Sequence, residues 1–314
     1  MSETDTGIQA GRGKVRAVLL VAAAVLSSGC SRPAAAPARQ IDGERALATA
    51  RRIFALGPRV SGTEGASRAA NWIRDRCREY TRHVTVDTWS ESTPAGKTTF
   101  RNVRATLPGK DAGFIIVGTH YDTKYLPEVP GFAGANDSAS STAVTLEMLR
   151  VLSSRSNLPE CRVEFLFFDG EECRERYGPH DGLHGSRRYA RTLARRGALQ
   201  DCRAMVLLDM VGDRDLTITI PPDNDPELCR RVFRIAERFG VREKFGYFLG
   251  GTILDDHVPF QERGIPCVNL IDFQYGPENR YWHTAEDTLD KLSAQSLEIV
   301  AEVALGLVDE LAAR

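Results

Sequence analysis

From Phe114 onward the chain alternates short, wholly apolar runs with longer stretches in which apolar residues recur every three or four positions. FIIVGTH, RVEFLFFD, AMVLLDMVG and PCVNLIDF are apolar on both alternating sets of positions, the pattern of strands buried on both faces. The helical stretches between them run from Ser138 to Leu152, Ser186 to Arg195, Pro226 to Phe239 and through DDHVPFQERG, and a long one from Leu292 to Leu311 closes the chain. Upstream, a helix from Arg45 to Leu56 is stopped by Gly57-Pro58, and Ser61-Gly-Thr-Glu64 has the form of a capping box. That box opens a second helix through Trp72 to about Tyr80. HVTVDTW and TFRNVRATL alternate apolar with polar, which predicts antiparallel strands. The expected fold is α/β: a single three-layer domain, with a mostly parallel central sheet, helices on both faces and an antiparallel N-terminal meander.

The first forty residues follow other rules. Arg12, Lys14 and Arg16 precede the apolar run AVLLVAAAVL, which ends in SSGC and then SRPAAAPARQ. A basic segment, a short apolar segment and small residues make an export signal, too short to span a membrane as a helix. Cys30 after Ser28 and Gly29 has the form of a bacterial lipoprotein site, although Leu26 stands one place further back than the usual leucine. The alternative is ordinary signal-peptidase cleavage near Ala34 to Ala36. The expected organisation is residues 1–30 as a lipoprotein export signal, 31–40 as a Pro/Ala linker, and 41–314 as the catalytic domain. The location that follows is the cell envelope, lipid-anchored through Cys30 or else periplasmic or secreted.

Size and charge narrow the function classes. The chain has 314 residues, 42% hydrophobic and 26% charged, with a formal net charge of -1. Such a length buries a sizeable core without disulfides or a structural metal. Near-neutral charge gives no general attraction to nucleic acid or to anionic lipid. Beyond Cys30, the six cysteines Cys77, Cys161, Cys173, Cys202, Cys229 and Cys267 permit disulfides in an exported chain but equally suit buried free thiols.

The chemistry sits at the strand ends. His120 ends FIIVGTH, with Asp122 two residues on to orient an imidazole; Glu171 and Glu172 follow RVEFLFFD; Asp209 interrupts AMVLLDMVG. Asp137 in GAND precedes a helix, and His283 lies in YWHTAEDT. Strand ends in an open α/β sheet converge on one crevice, where ligands bind. Imidazole nitrogen and carboxylate oxygen gathered there make a donor set for zinc. Of the paired glutamates, one can ligate metal while the other moves protons. Among the other histidines, His83 reads as a surface residue, His180 and His184 lie in the loop after the glutamate pair, and His257 reads as a buttress. No GxSxG elbow is present, and Gly109, Gly113 and Gly118 do not form a phosphate-cradling loop.

These segments resemble the zinc aminopeptidases of peptidase family M28, and within that superfamily the glutaminyl-peptide cyclotransferases, from about Arg45 to the C-terminus. The resemblance rests on HYDTKY from His120, GANDSAS from Gly134, FFDGEE ending at Glu172, GSR from Gly185, DDHVPF from Asp255 and WHTAEDT from Trp282. It implies that His120 and Asp209 hold one zinc and Glu172 and His283 a second, with Asp137 bridging and Glu171 as general base. In cyclases a single zinc is held through the matches to Asp137, Glu172 and His283. The resemblance also puts Asp255 in a hydrogen-bond network with the catalytic glutamate and Trp282 in the pocket wall. Departures from the cyclase pattern are Asn269 for a histidine, Tyr177 for a tryptophan, and Thr119 where animal cyclases have a cysteine.

The expected protein is therefore an enzyme that uses one or two zinc ions and acts on peptides with a free N-terminus. Because WHTAEDTLDKLS stands closer to the peptidases, aminopeptidase hydrolysis is the first expectation, with Glu171 activating a zinc-bound water. Cyclisation of an N-terminal glutamine with loss of ammonia is the alternative. A non-catalytic binding protein of the same fold is a distant third, since no site position is lost.

Overall fold

The computed structural model describes residues 40–313; the export signal, Cys30 and the linker up to residue 39 lie outside them. Among the described residues, no helix is long and apolar enough to cross a membrane.

Four runs that are apolar on both faces form the parallel part of a six-stranded sheet: β3 (Phe114–His120), β4 (Arg162–Phe168), β5 (Cys202–Asp209) and β8 (Cys267–Ile271). The alternating runs form β1 (Val84–Thr93) and β2 (Gly96–Leu107), an antiparallel pair whose second strand also pairs antiparallel with β4. The order across the sheet is β1-β2-β4-β3-β5-β8.

Successive side chains on each central strand point to opposite faces, and each face has its own helices. Ile115, Val117, Val163, Phe165, Val206 and Leu208 join the larger core, under α1 (Gly43–Phe54), α2 (Glu64–Arg78), α3 (Ser141–Ser153), α5 (Pro226–Arg238) and α7 (Ala294–Ala312). Phe114, Ile116, Leu166, Phe168, Met205 and Leu207 join a second core, covered by α4 (His184–Arg195) and the single turn α6 (Val258–Gln261). The expected three layers are thus present.

The connections make the crevice. The chain leaves β3 through α3 on one face and returns as β4; it then crosses by α4 on the other face to β5, on the opposite side of β3. Neighbouring connections that part to opposite faces open a cleft at the carboxyl ends of β3, β4 and β5.

Local details differ from the sequence reading in four places. Thr63 caps α2, accepting from Ala66 N at 3.3 Å, while Glu64 is already helical. Ser61 instead donates to Asp169 at 2.6 Å, so the capping-box reading placed the cap two residues early. α3 begins at Ser141 rather than Ser138, because Asp137 and Ser138 take non-helical backbone angles in a wide turn, Ala135–Ser140. DDHVPFQERG yields only one helical turn, since Asp255, Asp256 and His257 are drawn beneath the site as buried side chains. Two short strands, β6 (Ile218–Ile220) and β7 (Phe245–Tyr247), form a parallel pair that periodicity did not reveal, being too short to carry one. All six cysteines beyond Cys30 are buried free thiols, which settles the question of pairing among the described residues.

Candidate active site

His120 is the last residue of β3 and Asp209 the last of β5, so both reach the crevice directly from the sheet. Glu171 and Glu172 follow β4 after the turn at Asp169 and Gly170. Asp137 comes from the turn before α3. Gly134 makes that turn possible: its φ is +50°, and a Cβ there would sit 1.7 Å from the Asp137 carbonyl oxygen, so only glycine fits. His283 arrives from the loop before α7, itself with a left-handed φ of +54°.

The sequence-predicted metal positions meet in two adjoining groups that share Asp137. Asp137 Oδ1 and Asp209 Oδ1 each lie 3.2 Å from His120 Nε2. Asp137 Oδ2 lies 3.1 Å from His283 Nε2, and Glu172 Oε1 3.0 Å from the same nitrogen. Tetrahedral ligands at about 2.0–2.1 Å from an ion lie roughly 3.3 Å apart, and the imidazole–carboxylate separations in both groups are close to that. Charge argues the same way. Asp122, Asp137, Glu171, Glu172, Asp209 and Asp255 are all buried here, and buried carboxylates need a compensating cation.

Burial alone would raise the Asp137 pKa, but its bonds to His120 and His283 overrule that and hold it low. Burial pushes Asp209 up to about 7, although His120 pulls against it. For His283 the order reverses: burial disfavours its charge, yet Glu172 and Asp137 hold its pKa up at about 10. An imidazole this eager for positive charge marks a place where a cation is favourable.

Asp122 ties the parts together. Its Oδ1 lies 3.4 Å from His120 Nδ1 and accepts from Glu171 N at 3.2 Å, and its Oδ2 accepts from Glu172 N at 3.3 Å. One carboxylate thus lies beside the His120 imidazole and fixes the backbone of both glutamates. Glu171 itself lies against the cleft; burial first, and the neighbouring Glu172 charge second, raise its pKa well above the ordinary range. Its Oε1 accepts from the Tyr177 hydroxyl at 2.9 Å. Asp255 adds to the upward push on Glu171, while its own oxygens accept from Asn269 Nδ2 at 2.7 Å and Asp256 N at 2.5 Å. At the position where cyclases carry histidine, Asn269 therefore supplies an amide donor.

Beside these groups lies a cleft of about 210 Å³ with one charged end and one apolar end. Asp137, Glu171, Glu172, Asp209, Asp255 and His283 make the first; Met210, Phe248, Ile253, Ile271, Phe273 and Trp282 make the second. Trp282 stacks on His283 with ring centroids 4.1 Å apart, and Phe273 meets Trp282 edge-on at 5.0 Å. An aromatic wall thus continues directly from a candidate ligand.

The remaining histidines lie apart from the candidate metal groups. His83 and His180 are exposed, and His257 is fully buried away from them. His184 stacks on Phe100 and bonds Glu91 at 2.8 Å. Sequence reasoning missed Asp287, which accepts from Asn136 N at 2.7 Å, Asp137 N at 3.2 Å and the Tyr275 hydroxyl at 2.8 Å. It missed Lys124 as well, whose Nζ lies 3.3 Å from Glu172 Oε2. Both stand inside the quoted motifs WHTAEDT and HYDTKY, so the motif boundaries were their signal.

Comparison with known proteins places this geometry. Residues 102–308 match the model of peptidase family M28. The glutaminyl-peptide cyclotransferase of Bos taurus is 31% identical over 285 residues, spanning 78% of this chain and 77% of that protein. The fold superposes on the crystal structure of Acidobacteriales bacterium glutaminyl cyclase with a TM-score of 0.83, at 33% identity, covering 90% of this chain and 98% of that one. The Porphyromonas gingivalis glutaminyl cyclase follows with a TM-score of 0.78, at 26% identity and covering 87% and 99%. With its family model, its similarity to cyclotransferases and its strand-end site in agreement, the chain belongs to peptidase family M28 and is an enzyme.

Proposed function

We propose that the protein is a zinc-dependent glutaminyl-peptide cyclotransferase, closing an N-terminal glutamine to pyroglutamate with release of ammonia. This reverses the order of the two readings drawn from the sequence, where the WHTAEDTLDKLS ending favoured hydrolysis. The observation that carries it is the cleft: a small volume lined by Phe248, Phe273 and Trp282 together with Glu171 and the carboxylate–imidazole cluster. A cleft of that form suits a compact side chain folded back on its own amine. The similarity to cyclotransferases of animals and bacteria supports the same choice.

Asp137, Glu172 and His283 would hold the zinc, as three donors of the types it prefers. With the ion bound, the chemistry it supplies is polarisation of the substrate's γ-carbonyl oxygen. Glu171 takes a proton from the substrate's α-amine as that nitrogen attacks the side-chain carbonyl carbon, Cδ, and returns a proton to the departing amide nitrogen. One C–N bond forms, one breaks, and ammonia leaves. A carboxyl held well above its ordinary pKa by burial is suited to carrying a proton between the two nitrogens. Trp282 and Phe273 exclude water from the attacking nitrogen, so that the internal amine is the nucleophile.

Aminopeptidase hydrolysis is the second reading, favoured by the intact His120–Asp137–Asp209 group beside the first. The test is to incubate zinc-loaded protein with a Gln-peptide and a Leu-peptide and weigh the products. Loss of ammonia with the chain otherwise intact supports cyclisation; a released amino acid without it overturns the proposal. For location, we propose export with attachment through Cys30, to be checked by fatty-acid labelling of wild type against Cys30→Ser.

A further inference from the structure

The loop after Glu172 is built to deliver one hydroxyl. Beyond Cys173 the chain turns around Asp181, whose Oδ1 accepts from Arg174 N at 2.5 Å and whose Oδ2 accepts from Glu175 N at 2.8 Å and Arg176 N at 3.1 Å. Gly178 and Asp181 close the turn with reciprocal backbone hydrogen bonds of 2.9 and 3.2 Å. Arg187 Nη1 fastens it to α4 by donating to the carbonyls of Gly178 and Gly182. Gly182, at φ +76°, runs directly against the Tyr177 ring; a Cβ there would lie 2.4 Å from the ring carbon Cδ1. Lys124 Nζ rests 5.7 Å from the ring centroid. Ring and loop are thus fixed before the hydroxyl reaches Glu171 Oε1 at 2.9 Å. Among the described residues, Tyr177 is the one N–H or O–H donor whose hydrogen bond reaches that carboxylate.

We propose that Tyr177 is a positioning residue for Glu171: its hydroxyl engages Oε1, fixes the rotation of the carboxyl group and leaves Oε2 as the oxygen that exchanges protons with substrate. The inference rests on the cyclase reading for the identity of that substrate. The terminal torsion of a glutamate is broad when unrestrained, and proton transfer requires the reacting oxygen within hydrogen-bond reach of its partner. A phenol donates a single hydrogen bond to a carboxylate, so it can choose one oxygen and leave the other free. The hydroxyl touches the reacting glutamate, not the reacting atoms, and its removal should slow turnover without weakening substrate binding.

Tyr177→Phe removes only the hydroxyl. With the Gln-peptide, kcat should fall by about ten- to a hundredfold while KM stays within about threefold, with zinc content unchanged and the protein still cooperatively folded. Gly182→Ala should give a similar loss by displacing the ring, and the double variant should be no slower than Tyr177→Phe alone. A Phe variant with kcat within twofold of wild type overturns the proposal. So does a raised KM at constant kcat, which would make Tyr177 a substrate contact, or losses that multiply in the double variant. Wild type that releases no ammonia refutes the cyclase reading instead. In that event the cycle of Tyr177→Phe with Glu171→Ala, followed by chemical denaturation, reads the contact without turnover. Non-additive midpoints keep it, and additive ones reject it.

Discussion

Asp287 accepts the backbone N–H of Asn136 at 2.7 Å and that of Asp137 at 3.2 Å, so the loop that carries His283 also fixes the loop that carries Asp137. The two halves of the candidate metal site, nearly 150 residues apart in the chain, are thereby held as one unit. Tyr275 adds its hydroxyl to the same carboxylate at 2.8 Å.

Removing that carboxylate should therefore loosen metal before it alters any group that touches substrate. Asp287→Ala leaves buried N–H donors without an acceptor, which costs about 1–3 kcal/mol of stability. Zinc affinity should fall by roughly ten- to a hundredfold, the usual effect of losing an outer-shell partner. Competition with a chromogenic chelator measures it; unchanged affinity would leave Asp287 a purely structural residue.

The positions legible from sequence share one property: each is tied covalently to a signal that pattern alone reveals. His120, Asp209, Glu171 and Glu172 lie at or just beyond the ends of wholly apolar strands, and the α/β order of elements puts those ends together. Asp137 and His283 were legible as donor types, but their places in the ligand set rested on the family motifs, because a turn and a long loop have no periodicity to read. Phe248 and Phe273 needed tertiary structure, and Asp287, although inside the motif WHTAEDT, had no role until the loops were seen to meet. Their roles come from loops meeting across the sheet, and nothing local separates Phe273 at the cleft from Phe260 in the core. The capping box at Ser61 failed for a related reason: the buried Asp169 outcompetes a helix terminus for that hydroxyl.

The paired glutamates should separate in function. Glu171→Gln keeps the shape of the side chain but cannot carry the proton, so turnover should fall by roughly a hundredfold or more with zinc retained. Glu172→Gln replaces a charged donor that lies 3.0 Å from His283 Nε2, so zinc should be weakened or lost. Metal analysis beside activity decides both, and a strong chelator should abolish wild-type activity until zinc is returned. If both variants keep zinc and full activity, the roles are misassigned.

Trp282 should act in the cleft rather than in the core. Its ring is only part-buried, stacked on His283 and braced edge-on by Phe273. Trp282→Ala should lower kcat/KM by roughly ten- to a hundredfold, equivalent to about 1–3 kcal/mol, with little change in thermal midpoint. A stability loss of about 3–5 kcal/mol with normal kinetics is what a core tryptophan would give instead.

His257 sets a pH dependence that can be read apart from the site. It is fully buried, and neither ring nitrogen has a hydrogen-bond partner among the described residues. Burial pushes its pKa down to about 4, with Asp223 resisting weakly. An unfolded histidine titrates near 6.5, so between about pH 4 and 6.5 the unfolded chain binds the extra proton and the folded one does not. Stability from this residue is then fully present above about pH 6.5 and is lost as pH falls toward 4, by at most about 3 kcal/mol. Buried acids with raised pKa, such as Asp272 at about 7, pull in the opposite direction, so the wild-type curve alone cannot isolate the histidine. The difference between wild type and His257→Leu can, because leucine fills similar space and has no proton to bind. The variant should match or exceed wild type in denaturation midpoint at pH 5 and below, and the gap should narrow steadily toward pH 7. Parallel curves across that range would mean that His257 takes up its proton as readily in the folded state as in the unfolded one, and the assignment of its low pKa to burial would fall.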